Sequence, residues 1–309
     1  FVAMQNWGQD CYALDLTRPD VIAWLKDVFR TVCEEWGFDY VKIDFIYAGA
    51  ADGIRHDPEV TRAQAYRRGL QAVREAVGER FILACGNPIG PSVGLVDGAR
   101  ISPDVAPFWH PPGVARDRQR SQMSEPSALN ATRNSITRWW MHGRLWQNDP
   151  DCLLARATET ALTQDEAQTL ATVIAMSGGM VLDSDDLIRL ADERREWLSR
   201  LLPAYGKAAR PLDLFESEMP QVLELHVGTH VMLALLNWDD WMTKIEAPLP
   251  ADRVQVFDAW TREDPGVIER PFHLDVPAHG CRLLGLRAVD SPRGEVGRQL
   301  PPLFRWPGS

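Results

Sequence analysis

The chain has 309 residues, 45% hydrophobic and 25% charged, with a formal net charge of -10. That length suits one large domain and a small one, and the acidic balance excludes nucleic acid and anionic membranes as main partners, because both require clustered Lys and Arg. An uncharged small molecule fits better; the twelve Trp offer flat apolar faces to sugars, although burial is the usual fate of Trp in so long a chain.

In chain order, FVAMQNWGQD opens the sequence with neither an initiator Met nor a charged head followed by an apolar run, so a longer parent protein is expected. Thr17 and Asp20 have the spacing of a capping box for a helix over residues 20–36, which Gly37 stops. Val21, Leu25, Val28, Phe29, Val32 and Trp36 recur at helical spacing and predict one buried face. A strand at 40–45 follows. A second helix is predicted over 58–77, ended by Gly78, and then the strand FILACG at 81–86. Next come a strand at 99–102, a Trp-bearing helix over 127–141, a strand at 144–147, a helix opened by Thr163 and Glu166, and a strand at 178–183. Strands alternating with helices are the grammar of a parallel α/β fold.

A (β/α)8 TIM barrel and an open doubly wound sheet share that grammar. Each predicted strand here ends in polar residues: Asp44, Cys85, Asp104, Asn148 with Asp149, and Asp183 with Asp185. Barrels draw chemistry from the carboxyl ends of many strands, whereas doubly wound sheets concentrate it at one switch point. No G-x-G-x-x-G opens a helix, so a partial barrel of five strands is expected. Beyond about residue 206, alternating β-branched segments separated by Pro, Gly and Asp predict an antiparallel β-sandwich. The expected domains are residues 1–205, the C-terminal portion of the barrel, and 206–309, the sandwich with a Pro- and Gly-rich tail.

Lys42 and Asp44 lie two apart on a strand and project to one side. A lysine there holds the carboxylate ionised, as a nucleophile requires, and a buried structural ion pair stays equally open. Arg100, Ser102 and Asp104 repeat the spacing and share a face if the strand continues, while Pro103 and Pro107 place Asp104 at a rim. Near Phe108 and Trp109 and facing a second carboxylate, Asp104 suits a general acid; the competing reading is a turn cap. Asn148-Asp149-Pro150-Asp151 reads as a turn and helix start, residues 183–186 lack the further oxygens of a calcium loop, and seven His show no triad order with a Ser. Cys11, Cys33, Cys85, Cys152 and Cys281 have no metal-ligand spacing, which predicts reduced thiols, no metal and a cytoplasmic setting. No apolar run is long enough to span a bilayer.

The stretches YVKIDFIYAGAADGIR, CGNPIGPSVGLVDGARISPDVAPFW, WQNDPDCLLAR and SGGMVLDSDDL are collinear over about residues 10–190. Together they resemble glycoside hydrolase family thirty-six, the bacterial α-galactosidases and their clan D relatives. The resemblance implies that Asp44, in a Lys-x-Asp on the fourth barrel strand, is the nucleophile, and that Asp104, after the sixth strand, is the acid/base. It further implies that Lys42 and Arg100 bind the sugar and that Cys85 with Gly86 lines the same pocket. The implied reaction is a retaining double displacement on terminal α-galactosides of the melibiose or raffinose type, without a cofactor and with the two carboxyls roughly 5 Å apart. Galactosyl transfer, as in raffinose and stachyose synthases, uses the same two aspartates, and a noncatalytic sugar-binding protein is a third reading. An oligomer stays open. The first three barrel strands are expected upstream of this chain.

Overall fold

Tyr40–Ile43, Phe81–Ala84 and Gly98–Arg100 pair in parallel, with Lys42 opposite Leu83 and Ala84 opposite Ala99. The computed structural model describes residues 2–6, 8–114, 123–289 and 300–307. Residues 290–299 of the predicted tail lie outside them. The chain divides into two compact units, residues 1–100 with 145–147 and residues 101–144 with 148–309.

In the first unit the strands Val2–Asn6 and Gln9–Tyr12 form a hairpin ahead of the helix Pro19–Arg30. Pro sits at the first helical position, where its missing N–H costs nothing, and Arg18 is the N-cap. The Thr17 and Asp20 box does not form. Thr17 Oγ1 instead donates to Asp15 Oδ1 (2.7 Å) and accepts from the Asp57 N–H (3.1 Å), so tertiary partners take the hydroxyl. The predicted buried face is only half-buried, with no residue of the helix Pro19–Arg30 fully buried, and a π turn at Thr31–Glu35, closed by the Trp36 N–H on Thr31 O at 3.0 Å, leaves Trp36 66% exposed.

Helix Arg62–Val77 starts later than its pattern predicts, because Thr61 and Gln64 cap it reciprocally; Gly78 ends it with φ 69. Its face of Ala65, Tyr66, Leu70, Val73 and Val77 is buried with Ile82 and Leu83 of the next strand. At the amino end of the sheet Arg74 pairs with Asp97, whose Oδ2 also accepts from the Ile82 N–H at 2.8 Å. That clamp fixes the register which delivers Arg100 to the opposite, carboxyl end.

In the second unit Thr163 and Glu166 form the predicted box at the head of Gln164–Ser177, and Gly178 closes the helix at φ 70. The helix is almost wholly buried against an antiparallel sheet. The sheet order is Gly266–Glu269, Arg253–Asp258, Cys281–Ala288, His230–Leu236, Val222–Val227 and Arg210–Pro211. Leu223, Leu225, Met232, Ala234 and Leu283 share a core with Leu170 and Ile174 of the helix. Val231, Leu233, Leu235, Val254 and Val256 face the other way, toward Ile245 and Val276 of the paired strands Thr243–Glu246 and His273–Val276. Every residue of the central strand His230–Leu236 is therefore buried. Gly285 is obligatory there, since a Cβ would lie 1.8 Å from the Phe257 ring.

Two predicted strands shift or shrink. The strand expected at 144–147 lies at Gln147–Asp149, and that expected at 178–183 is Leu182–Asp183, parallel to Cys152–Leu153. Residues 178–181 are taken up by a close backbone approach: Met180 N–H bonds Asn148 O at 3.0 Å, and a Cβ on Gly179 would meet that oxygen at 2.0 Å. Among the described residues no helix is long and apolar enough to cross a membrane. All five cysteines are free thiols.

Candidate active site

The carboxyl ends of the three parallel strands bring Lys42, Asp44, Cys85 and Arg100 together. The Cys85 N–H donates to Ile43 O at 2.8 Å, extending the ladder just to the point where Asp44 leaves it. The chain then turns at Phe45, a bulky residue in the left-handed region at φ 54, and Asp44 Oδ1 accepts the Phe45 N–H at 2.6 Å. Lys42 and Asp44 are both exposed, which rules out the buried ion pair.

Cys85 is 7% exposed. Burial pushes its thiol up to about 12, and the neighbouring Asp44 carboxylate adds to that, against the charges of Arg100 and Lys42. The sulfur thus feels the charges of Lys42, Asp44 and Arg100, all carried at the carboxyl ends of the parallel strands. A thiol raised this far favours its neutral form, the opposite of what a thiolate nucleophile requires.

Gly86 follows with φ 65, and its carbonyl accepts the Tyr47 N–H at 2.9 Å. A Cβ here would stand 3.1 Å from the Tyr47 ring. Phe45 and Tyr47, in edge-to-face contact at 6.3 Å, belong to this rim, and Tyr47 is 43% exposed. Sequence reasoning missed both rings, for which the only signal is their position just after Asp44.

Arg100 is half-buried and ends its strand. The expected continuation through Ser102 does not occur, so Arg100, Ser102 and Asp104 share no strand face. Pro103 breaks the pairing, and residues 101–105 are held by a turn of the second unit. Ile101 N–H bonds Asp149 O (3.0 Å), Ser102 Oγ donates to Pro150 O (3.2 Å) and Val105 N–H bonds Asp151 Oδ2 (2.7 Å). Asp104 is exposed on this segment, and its carbonyl accepts the Ser127 N–H at 3.2 Å. Asp149 is fully buried at the end of the strand Gln147–Asp149, where its Oδ1 accepts the Asp151 N–H at 2.8 Å; the chain turns there as its sequence predicts, but the strand Cys152–Leu153 follows where a helix start is expected.

Asp183 and Asp185 form a clamp of another kind. Asp185 has a fully buried side chain that accepts from the Ala155 N–H (2.6 Å), the Arg156 N–H (3.2 Å) and Arg156 Nη1 (3.0 Å). Burial pushes the neighbouring Asp183 carboxyl up to about 6, with the charge of Asp185 reinforcing it and the Asp185 N–H and Arg156 opposing.

No family model matches the chain. Among solved structures it is similar to an α-galactosidase of Thermus thermophilus in complex with stachyose, with 33% identity over 64% of this chain and a TM-score of 0.55. The chain spans 41% of the length of that enzyme. It is also similar to α-galactosidase I of Mortierella vinacea, with 17% identity, 86% of this chain and 72% of the other covered, and a TM-score of 0.65. A GH27 β-L-arabinopyranosidase of Geobacillus stearothermophilus matches at 16% identity over 96% of this chain and 67% of its own, with a TM-score of 0.65. The fold is that of glycoside hydrolases, α-galactosidases among them. A family 27 enzyme is as near in fold as the Thermus enzyme, so family thirty-six is not singled out.

Proposed function

We propose that this chain carries the C-terminal part of a retaining α-galactosidase of the family thirty-six type, its parallel strands being about the fourth to eighth of a (β/α)8 barrel. The observation that carries this reading is the convergence of Lys42, Asp44 and Arg100 on the Cys85 thiol at the carboxyl ends of parallel strands, where barrel enzymes hold their chemistry.

Asp44 is the nucleophile. Its free oxygen attacks the anomeric carbon as the glycosidic C–O bond breaks, and Asp104 gives its proton to the departing oxygen. Asp104 then takes a proton from water, whose oxygen attacks the anomeric carbon and releases Asp44. The Cys85 S–H steadies the Asp44 carboxylate, and Lys42 and Arg100 bind sugar hydroxyls and balance charge. The Thermus enzyme has been solved with stachyose and with p-nitrophenyl α-D-galactopyranoside, so terminal α-galactosides are the substrates to try.

In the intact protein, Asp44→Ala is expected to lower turnover of p-nitrophenyl α-D-galactopyranoside by about 10⁴-fold or more, and azide is expected to restore turnover as β-galactosyl azide. Activity near that of the wild type sinks the assignment. Galactosyl transfer rests on the same two aspartates, and product analysis at high acceptor concentration separates it from hydrolysis. Mainly free galactose supports hydrolysis.

A further inference from the structure

We propose that His110, Asp240 and His279, all in the second unit, bind a divalent transition metal ion, with Zn²⁺ the best match. One ligand atom from each lies within 4.8 Å of the others. His279 Nε2 is 3.0 Å from Asp240 Oδ1, and the His110 ring stands at 85° to that of His279 with centroids 5.5 Å apart. Tetrahedral zinc with bonds of about 2.0–2.1 Å holds its donors about 3.3 Å apart, close to the His279–Asp240 spacing and within reach of small side-chain shifts for a trio confined to 4.8 Å.

The histidine is built as a metal ligand is. Its Nδ1 lies 2.7 Å from Glu166 Oε1, and the other oxygen of Glu166 already accepts the Thr163 N–H that caps the helix. A carboxylate behind the imidazole fixes the tautomer with the proton on Nδ1 and directs the Nε2 lone pair outward. That lone pair then faces the Asp240 carboxylate, an acceptor against an acceptor. A cation placed between them would take both as ligands, with His110 as the third.

The imidazole and its loop are held rigidly, as a preformed ligand set requires. Trp109 stacks on His279 at 5.1 Å with 20° between the rings, and Thr169 Oγ1 holds the His279 carbonyl at 2.8 Å. The fully buried Asn237 ties the two loops together, donating from Nδ2 to Trp241 O (2.7 Å) and Val276 O (3.0 Å). Two imidazoles and one carboxylate suit zinc and its neighbours better than calcium or magnesium, which want oxygen ligands throughout. Asp240 is exposed, so a fourth position opens to water.

The test is calorimetric titration of the chelator-treated intact protein with Zn²⁺, alongside Asp240→Asn, His110→Gln and Glu166→Gln, the last keeping a residue that serves a capping box. Expected are one saturable equivalent per chain, release of a proton on binding, and affinity weakened about tenfold or more by each substitution. Melting of the metal-free Asp240→Asn and His110→Gln proteins checks that both fold. Absence of saturable uptake by the wild type, or uptake undiminished in both of those variants, overturns the proposal.

Discussion

The buried Cys85 thiol and the exposed Asp44 carboxylate stand at the ends of neighbouring parallel strands, and the carboxylate reinforces the effect of burial in keeping the thiol protonated. A thiol pushed up to about 12 holds about 10³-fold less thiolate at mildly alkaline pH than an ordinary cysteine. Peptide mapping after alkylation is therefore expected to show Cys85 modified far more slowly than the less buried Cys11. Asp44→Asn removes a raising influence and should speed Cys85. Equal rates for Cys85 and Cys11 in the wild type would show the thiol to be ordinary.

If Asp104 is the acid, its loss matters most where the leaving group needs a proton. Asp104→Ala is expected to cut turnover of melibiose by about 10²–10⁴-fold while sparing p-nitrophenyl α-D-galactopyranoside far more. Similar losses on both substrates would remove Asp104 from that role.

Gly86→Ala places a Cβ on a residue at φ 65 and against the Tyr47 ring. The left-handed conformation alone costs about 1–2 kcal/mol for an L-residue. Urea denaturation is expected to show the unfolding free energy lowered by that amount, as a lower midpoint with an unchanged slope; an unshifted midpoint would mean that the turn relaxes freely.

Burial pushes the Asp183 carboxyl up to about 6 from its ordinary 3.8. The folded state thus holds the proton more tightly than the unfolded one between those values. The contribution of this group to stability is whole at the acid end, declines as pH rises through the window and is gone above it. Asp183→Asn is expected to melt higher than the wild type at about pH 7.5, with the gap closing toward about pH 4. A gap that is the same at both pH values would refute the assignment.

Local signals were legible wherever the chain answers to its own neighbours. The Thr163 and Glu166 box, the stops at Gly37 and Gly78, and the strands before Asp44 and Cys85 all form as the pattern predicts. Signals failed where tertiary partners outbid local ones: Thr17 is captured by Asp15 and Asp57, and the π turn moves Trp36 off its stripe. Of the candidate site, Lys42, Asp44, Cys85 and Arg100 were visible as strand ends. Phe45 and Tyr47 were not, because a left-handed Phe leaves no mark in hydropathy. His110, Asp240 and His279 escaped for a plainer reason: three distant loops meet only after folding.

The helix Gln164–Ser177 and the antiparallel sheet share one core, and the join is polar as well as apolar. Trp260 Nε1 donates to Thr172 Oγ1 at 2.9 Å, and Thr172 Oγ1 lies 3.2 Å from Cys281 Sγ. Heat or a protease that frees the sheet strips Leu170 and Ile174 of their cover, and the loss of the helix uncovers Leu223 and Leu225 in turn. The change of composition near residue 206 is therefore a change of secondary structure within one shared core, whose two halves are expected to unfold together.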